Sequence, residues 1–562
     1  MSARRLPLVL PALLLAVAPA LTAGELTLRA PEEISELLAP YLPDEAGNTQ
    51  RLQGTLSEIL ATEGYFAPGF EFKDSDGGLQ LSLDPGPRTR ITALDLRIDG
   101  PLDAALRDEL GKEWALPVGQ PFRQEDWNTA KQQVLADLLA SDHADARLLD
   151  SEAAIDVETH SASLRAHYDA GPHYRFGPLR VEGLQLYKAE LVARYNRVVH
   201  SGQPYREERL NALQTTLQAT PYFASAQASI DRAAAEIDAD GTATVPVVVR
   251  IRERAPQRLS FGAGASSNTG ARVEFNYHHA NLLGRAWELD TGLRLEQKKQ
   301  TAYADIFLPP DERFRRNSIG VMAEATDIAG LQTERYAFGA QTVQQRGSVE
   351  QRLSLNWQNE LREPDGAAPV TSRALVPNAM WTWRRVDNLL DPRRGTVLQA
   401  QIGGGSRAAL SDQNFVRVHS RIQHYVPLGR RDTLTLRGEI GYTLADSRQR
   451  IPQDYLFRTG GAGTVRGYAY QSLGIKEGRA TVGGRYLAIA SAEVTHWLDE
   501  DWGIAAFVDA GDAVDSLQDV RLALGYGLGA RWRSPAGPIG VDLAYGERTR
   551  GFQLHFSLAI PF

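Results

Sequence analysis

The chain has no cysteine and, after its N-terminal segment, no long apolar run. Its 562 residues contain 0 Cys, which excludes disulfides, thiolate zinc sites and cysteine nucleophiles. A helical inner-membrane protein is excluded too, because a membrane-spanning helix needs about 20 consecutive apolar residues. A transmembrane β-barrel is still possible, because its strands alternate apolar and polar residues.

Motifs of catalysis are also missing. No Gly-Xaa-Ser-Xaa-Gly elbow occurs, which disfavours a lipolytic barrel. The 11 histidines show no metal-ligand spacing. The glycine run at 403–405 lacks the lysine and the following helix of a phosphate-binding loop. We therefore expect no enzymatic activity, no catalytic residue, no cofactor and no metal ion.

Charge divides the chain into two parts. Residues 24–254 carry 37 Asp and Glu against 23 Lys and Arg, a net charge of −14. Residues 255–562 carry 32 against 36, a net charge of +4. The acidic first part argues against a nucleic-acid partner, and the slightly basic second part suits anionic lipid headgroups.

The N-terminal segment has the pattern of a secretory signal. Arg4 and Arg5 precede an apolar run at 6–17, and small residues follow. The run is shorter than a membrane-spanning helix requires. We predict a signal peptide at 1–23 and an exported protein.

The acidic part of the chain contains three repeats with a period of about 85 residues. The sequence Gly-Gln-Pro-Phe-Arg at 119–123 recurs as Gly-Gln-Pro-Tyr-Arg at 202–206, and Asp-Pro-Gly-Pro at 84–87 recurs as Asp-Ala-Gly-Pro at 169–172. The predicted limits of the three repeats are 24–86, 87–171 and 172–255.

Each repeat is predicted to have the order β-α-α-β-β. Leucine and isoleucine at helical spacing mark the core-facing sides of the helices. The second helix ends in an aromatic pair in the first and third repeats, Tyr65-Phe66 and Tyr222-Phe223, which we interpret as core residues. The second repeat has Asp142-His143 there instead.

This order, with the Gly-Xaa-Pro turn and the terminal Tyr-Phe pair, resembles the POTRA (polypeptide-transport-associated) domain; Asp142-His143 departs from that pattern. A three-stranded sheet with an open edge can accept a strand from an unfolded client through main-chain hydrogen bonds. The repeats would then receive polypeptide. The alternative is that they are spacers, and the two roles are compatible.

The remaining residues, 256–562, have the pattern of a transmembrane barrel. Segments of about ten residues alternate apolar and polar positions and are separated by turns rich in Gly, Asn, Asp and Pro. We count sixteen antiparallel strands. The fold class is therefore multi-domain: three α+β POTRA domains followed by a 16-stranded antiparallel transmembrane β-barrel. A soluble β-sandwich is the disfavoured alternative.

The first and last strands are predicted to meet at a weak lateral seam. Glycines weaken the first strand, at 258–266, and a proline limits pairing near the end of the last strand. The residues assigned to this seam are Leu259, Phe261, Gly262, Gly264, Phe552, Phe556, Pro561 and Phe562. The terminal phenylalanine also resembles the C-terminal insertion signal of outer-membrane proteins.

A long loop at 446–485 separates the eleventh and twelfth predicted strands. It carries a glycine cluster followed by the motif residues Val465, Arg466, Gly467 and Tyr468. Glycine permits tight folding of such a loop into the barrel, and a buried guanidinium requires a carboxylate partner. Strand alternation directs Glu493 and Asp509 into the lumen, where either could serve.

The Val-Arg-Gly-Tyr loop and the following Phe-Xaa-Asp-Xaa-Gly strand together resemble the signature of the superfamily that contains BamA, TamA and FhaC. The resemblance implies that the loop lies inside the barrel, with Arg466 paired to Asp509 and Glu493 nearby. The barrel-wall residues implied to contact the loop are Glu493, Phe507, Asp509 and Gly511.

Three repeats without room for an N-terminal plug helix resemble the TamA type of this superfamily, the outer-membrane subunit of the translocation and assembly module. This resemblance implies insertion of autotransporters and other outer-membrane β-proteins, with a periplasmic arm, a TamB-like inner-membrane-anchored partner and contact with outer-membrane lipid. Two alternatives stay open: a two-partner-type secretion pore, and phospholipid transport to the outer membrane.

Overall fold

A computed structural model describes residues 25–43, 48–75, 78–239, 241–534 and 537–558. The predicted signal peptide at 1–23 lies outside these residues. The chain forms two compact units. The first unit runs to Arg180 and also includes Val199–Asn211 and Ser229–Val248; the second comprises Val181–Val198, Ala212–Ala228 and the chain from Val249 onward.

The β-α-α-β-β order is confirmed in all three repeats. The elements of the first repeat are β1 (Glu25–Arg29), α1 (Glu32–Leu38), α2 (Thr49–Thr62), β2 (Gly69–Ser75) and β3 (Gly78–Asp84). Those of the second are β4 (Arg90–Asp99), α3 (Ala104–Lys112), α4 (Gln124–Ala140), β5 (Arg147–Asp156) and β6 (Ser161–Asp169). Those of the third are β7 (Tyr174–Glu182), α5 (Ala189–Tyr195), α6 (Glu207–Gln218), β8 (Phe223–Ile230), the two-residue β9 (Glu236–Ile237) and β10 (Ala243–Glu253). The exact limits between repeats stay predictions.

In each repeat the last strand is central in its sheet. The strand orders are β1-β3-β2, β4-β6-β5 and β7-β10-β8, with β9 paired to β10. In the first two sheets the first strand is parallel to the central strand and the other outer strand is antiparallel to it. The first residues of β4 and β7 hydrogen bond on their outer side to the Gly-Gln-Pro turns at 119–122 and 202–205. Along the rest of the outer strands no further strand is paired among the described residues, which leaves an edge for another partner.

The helices cover one face of each sheet with their apolar sides. Leu56 and Leu60 of α2 are fully buried with Leu81 of β3. Asn48 caps α2 by accepting hydrogen bonds from two backbone N–H groups of the first turn, which satisfies donors that the helix itself cannot pair. No helix in the described ranges is both long and apolar enough to cross a membrane.

The aromatic pairs do not all pack as expected. Tyr222 and Phe223 are fully buried, and Tyr65 packs on the core of its own repeat. Phe66 instead packs on the core of the second repeat, with its ring 6.0 Å from that of Phe122. The expectation that it is a core residue of the first repeat was wrong, because its position just after the helix directs it toward the neighbouring domain.

Sixteen antiparallel strands form one continuous sheet, the nearly closed barrel, as predicted. Strands β11 to β18 are Gln257–Ser266, Gly270–Leu282, Trp287–Glu296, Lys299–Phe307, Arg316–Ile328, Leu331–Arg346, Val349–Pro364 and Val370–Val386. Strands β19 to β21 are Gly395–Gly405, Phe415–Leu428 and Asp432–Leu444. Strands β24 to β28 are Tyr486–Trp497, Trp502–Val514, Ala523–Ser534, Gly537–Gly546 and Gly551–Leu558.

Side chains alternate across the barrel wall. On β26, Leu524, Tyr526 and Leu528 are exposed on the outer face, whereas Arg531 is buried on the inner face. An apolar outer band and a polar interior are what a β-barrel needs in a lipid bilayer.

The long loop between β21 and β24 has structure of its own. It contains a 3₁₀ turn at Gln453–Tyr455 and a small hairpin of β22 (Ile475–Glu477) and β23 (Ala480–Val482). Much of it is buried, in keeping with a position inside the barrel.

The first and last barrel strands are the ends of the sheet. We expected β11 to pair with the final strand, but within residues 257–558 no hydrogen-bonded ladder joins β11 to β28. The described hydrogen bonding between the two strand ends is limited to Ser267, whose Oγ lies 3.2 Å from the backbone N of Phe556 and 3.5 Å from its carbonyl oxygen. Pro561 and Phe562, predicted to belong to the seam, lie outside the described residues.

Candidate functional site

Glycines allow the tip of the long loop to turn sharply and to approach the barrel wall. Gly460, Gly461 and Gly467 have φ angles of 103°, 104° and 88°, a region that favours glycine. A Cβ on Gly546 would overlap the carbonyl oxygen of Gly467, and a Cβ on Gly525 would overlap the carbonyl oxygen of Arg466. The loop backbone therefore packs directly on the backbones of β26 and β27.

Arg466 is held by three carboxylates. Its Nε and Nη2 donate to the two carboxylate oxygens of Asp509 at 2.7 and 2.9 Å, and its backbone N–H donates to Asp509 at 3.1 Å. Its Nη1 donates to Glu493 at 2.6 Å and to Asp542 at 3.2 Å. The Arg466 side chain is 2% exposed and that of Asp509 is fully buried. Such a bidentate, charge-assisted pair is both strong and geometrically specific.

Two further arginines compensate the charge of these carboxylates. Arg531 donates to Asp542 at 2.5 Å and to Glu493 at 2.8 and 3.0 Å. Arg437 approaches Asp509 to 3.9 Å and donates to Ser491, which itself donates to Asp509 at 2.6 Å. Three guanidinium groups thus face three carboxylates. Formal neutrality is what allows so many ionised groups to be buried together.

The Phe-Xaa-Asp-Xaa-Gly motif of β25 places three side-chain positions on one inner face. The guanidinium carbon of Arg466 lies 3.4 Å from the centroid of the Phe507 ring, a cation–π contact. Asp509 binds the same guanidinium. A Cβ on Gly511 would lie 2.8 Å from Cγ2 of the fully buried Val465. The motif therefore supplies a stacking surface, a counter-charge and space for the loop.

Tyr468 and Gly467 attach the loop to the last strands. The Tyr468 hydroxyl donates to the carbonyl oxygen of Leu524 at 2.8 Å and accepts from the backbone N–H of Arg548 at 3.0 Å. The backbone N–H of Gly467 donates to Nε2 of His555 on β28 at 2.9 Å. The loop is thereby hydrogen bonded to the strand that forms one side of the seam.

A second set of ion pairs attaches the loop to the other side of the barrel. Arg362 of β17 donates to Glu477 of the loop hairpin at 3.1 Å, and Arg335 of β16 pairs with Asp454. Arg479 forms a bidentate pair with Asp365 at 2.7 and 2.9 Å. The loop therefore spans the lumen from β16–β17 to β24–β28.

The residues of the seam are exposed, whereas those of the loop network are buried. Every described residue of β11 from Gln257 to Ala265 is exposed, with Phe261 76% exposed. Phe552 and Phe556 of β28 are exposed as well. The structure thus places the predicted loop residues together in one buried network and the described seam residues along the two edges of the sheet.

Sequence reasoning missed five partners of the network: Asp542, His555, Ser491, Arg437 and Arg531. Alternation within β27 and β28 directs Asp542 and His555 inward, beside the lipid-facing Leu543 and Leu554, so the pattern contained a signal for them. Sequence spacing likewise gave no reason to expect a metal-ligating cluster. The fold nevertheless brings Asp142, His143 and His173 together, because residues distant in sequence meet between the second and third repeats.

Comparison with known proteins gives the following matches. A family model described as the Omp85 superfamily domain matches residues 255–562. The outer membrane protein assembly factor BamA of Nitratidesulfovibrio vulgaris is 23% identical over 388 residues, which cover 65% of this chain. The chain spans about half of that relative, 47% of its length.

Two other similar proteins extend the comparison. A SAM50-like protein of Schizosaccharomyces pombe is 24% identical over 379 residues, covering 63% of this chain and 78% of the relative. The crystal structure of BamA from Haemophilus ducreyi lacking POTRA domains 1–3 aligns with a TM-score of 0.70 at 17% identity, covering 83% of this chain and 99% of that one. At this identity the structural match shows the fold: a sixteen-stranded barrel preceded by POTRA-like domains.

Proposed function

This chain belongs to the Omp85 superfamily, and we propose that it is an assembly factor that inserts autotransporters and other β-barrel proteins into the outer membrane. It is an outer-membrane protein with an N-terminal arm of POTRA-like domains. We further propose that it is of the TamA type. The number of POTRA-like repeats, three, supports that assignment, whereas the Val-Arg-Gly-Tyr loop is common to the superfamily and does not distinguish its types.

The observation that carries the proposal is the seam. Strands β11 and β28 each have one side hydrogen bonded to a barrel neighbour, and within residues 257–558 they share only the contact between Ser267 and Phe556. An edge strand with free N–H and C=O groups is a template for another strand. A client hairpin would pair with β11 or β28. As the client's own strands pair with one another, it would leave the seam laterally and enter the bilayer.

The arm would deliver clients to this edge. In each POTRA-like sheet the outer strands have a side that pairs with no further strand among the described residues, apart from the first residues of β4 and β7, which bind the Gly-Gln-Pro turns. Such an edge suits addition of a strand through main-chain contacts with little demand on sequence. A TamB-like partner anchored in the inner membrane would complete the route across the periplasm. The free energy of client folding would drive insertion.

The experiment tests whether the seam must open. The chain has 0 Cys, so Ser267→Cys with Phe556→Cys introduces one disulfide across the seam, and surface display of an autotransporter passenger is measured with and without oxidation. The matched control joins two ordinary neighbours of the wall, Leu293→Cys with Ala302→Cys, which face each other on β13 and β14.

We expect oxidation of the seam pair to abolish display, reductant to restore it, and the control pair to display normally. If display continues when the seam disulfide is complete, lateral insertion is wrong. A secretion pore through the lumen would then explain continued transport, whereas loss of lipid asymmetry without loss of display would favour phospholipid transport.

A further inference from the structure

The second repeat carries an unusual pair where the other two carry aromatic residues. Asp142 and His143 follow α4, at the position of Tyr65-Phe66 and Tyr222-Phe223. His143 is fully buried, like the tyrosine and phenylalanine of the third repeat. A histidine in an aromatic core position brings two polar ring nitrogens into an apolar surrounding, where each needs a partner.

Neither ring nitrogen of His143 has a hydrogen-bond partner of normal geometry among the described residues. The nearest carboxylate oxygen, Oδ1 of Asp142, lies 3.8 Å from Nε2, beyond hydrogen-bond distance. Leaving a buried polar side chain unpaired costs about 1–3 kcal/mol. The backbone of Gly171 lies close enough to the ring to offset slightly the lowering of the pKa of His143 by burial, but it makes no hydrogen bond of normal geometry with either ring nitrogen. Buried His143 therefore still has coordination capacity that the protein itself does not use.

A second histidine and a carboxylate converge on His143. His173, just before β7, has its ring centroid 4.5 Å from that of His143, and its Nδ1 lies 3.2 Å from Oδ2 of Asp142. One ligand atom from each of the three residues lies within 4.8 Å of the others. All three belong to the first compact unit.

Burial lowers the pKa of His143, and the neighbouring His173 lowers it further; Asp142 only partly opposes this. A lowered pKa favours the neutral imidazole, the form that binds a metal ion. Neutral imidazole nitrogens and carboxylate oxygens are the ligands that divalent zinc and its neighbours prefer when no thiolate is present.

We propose that Asp142, His143 and His173 bind one divalent transition-metal ion of the Zn²⁺ class at the junction of the second and third POTRA-like domains. Ligands at about 2.0–2.2 Å around a tetrahedral ion lie roughly 3.3–3.6 Å apart, so modest side-chain rotations would close the present spacing. Three protein ligands leave the fourth position for water.

The ion would fix the junction between the two domains. Asp142 and His143 belong to the end of the second repeat, and His173 to the start of the third. Asp145 already joins the same segments, since it accepts from the Tyr174 hydroxyl at 2.6 Å and pairs with Arg232 at 2.9 Å. Metal binding would add a reversible connection between the two repeats, next to the contacts that Asp145 makes.

The test uses the full-length chain in detergent micelles after treatment with a chelator. Zn²⁺ binding is measured by calorimetry, and Co²⁺ binding by the visible absorption that a tetrahedral nitrogen and oxygen site produces. We expect one equivalent of either ion per chain. Asp142→Asn, His143→Gln and His173→Gln should each weaken binding by more than about tenfold, the smaller of the losses seen when residues that merely support ligands are changed.

Two controls separate ligation from other effects. His167→Gln removes a histidine of the same arm whose Nε2 lies 2.7 Å from Oδ2 of Asp99 but which is not part of a three-ligand group among the described residues; binding should be unchanged. His143→Phe restores the aromatic type found in the sister repeats and should give a folded protein without metal binding.

The proposal is overturned if the unaltered chain binds neither ion in a saturable way, or if all three ligand variants bind as tightly as the original. Should His143→Gln fail to fold, the half-buried Asp142 and His173 decide the matter, because their side chains are each 24% exposed and tolerate replacement more easily.

Discussion

The inward loop and the lateral seam are made from the same barrel strands and yet are opposite in character. The loop side joins β24–β28 through Arg466, Tyr468 and Gly467, with its central ion pair almost entirely buried. The seam side joins β11 to β28 through Ser267 alone among the described residues. The contrast indicates a barrel that is reinforced on one side of its last strand and left weak on the other.

The largest expected effect concerns the ion network. Arg466→Ala leaves Asp509, Glu493 and Asp542 without their shared cation, and breaking a buried pair in this way costs about 3–5 kcal/mol. We expect the free energy of unfolding, measured by guanidinium titration in lipid vesicles, to fall by that amount. Arg466→Lys should recover only part of it, because an ammonium cannot bind Asp509 bidentately.

Arg272 on β12, beside the seam, is the matched control. Its side chain is 42% exposed and its carboxylate contacts are long, 3.7 and 3.9 Å. Arg272→Ala should cost less than about 1 kcal/mol. Equal losses for the two arginines would mean that the loop contributes no more to stability than a surface ion pair.

The next effect compares a glycine of the loop site with a glycine of the seam. Gly511→Ala places a Cβ 2.8 Å from Val465 and 3.0 Å from the carbonyl oxygen of Ala488, so overpacking should lower the free energy of unfolding by about 1–3 kcal/mol. The Cβ added by Gly264→Ala meets only the flexible guanidinium of Arg272, at 3.4 Å. This substitution should change the free energy of unfolding by less than about 0.5 kcal/mol. The expectation is contradicted if Gly264→Ala lowers the free energy of unfolding more than Gly511→Ala does.

His555 joins the two regions, because it lies on the seam strand and accepts from the loop. His555→Ala removes the acceptor of the Gly467 N–H, which is buried, and should cost about 1–2 kcal/mol in unfolding free energy. Gln553→Ala changes the same face of the same strand two residues away and should have little effect. If His555→Ala leaves the free energy of unfolding unchanged, the loop does not stabilise the last strand.

The smallest effect is expected at the seam contact itself. Ser267→Ala removes an exposed hydrogen bond and should change the free energy of unfolding by less than about 0.5 kcal/mol. Thr291→Val removes a similar bond inside the wall, from Oγ1 to the carbonyl oxygen of Tyr303 at 2.7 Å, and should cost about 1 kcal/mol. A larger loss at Ser267 than at Thr291 would reverse the comparison.

Local patterns were enough to predict much of this architecture. Alternation with a period of two fixes which strand residues face inward, so the sixteen strands could be counted, and Asp509 and Glu493 could be directed at the lumen. The glycine cluster around Arg466 indicated a loop that folds inward. These inferences needed only residues close together in sequence.

Contacts that depend on how distant segments meet could not be predicted. The third carboxylate bound by Arg466, that of Asp542, lies 76 residues from it in sequence, and His555 lies 88 residues from Gly467. The same limit hid the convergence of His143 with His173. We expected the first and last strands to pair, but no such pairing is found within residues 257–558. The sequence of a strand does not show whether its edge is paired with another strand, so this outcome could not be predicted.

Hydrogen exchange of the full-length protein in lipid bilayers tests the central claim most directly. A seam that opens laterally must expose the backbone amides of β11 and β28 far more often than those of β25, where the loop is bound. We predict fast exchange in Gln257–Ser266 and Gly551–Leu558 and slow exchange in Trp502–Val514. Uniformly slow exchange around the whole barrel would contradict the account, since no weak seam would then exist for a client to enter.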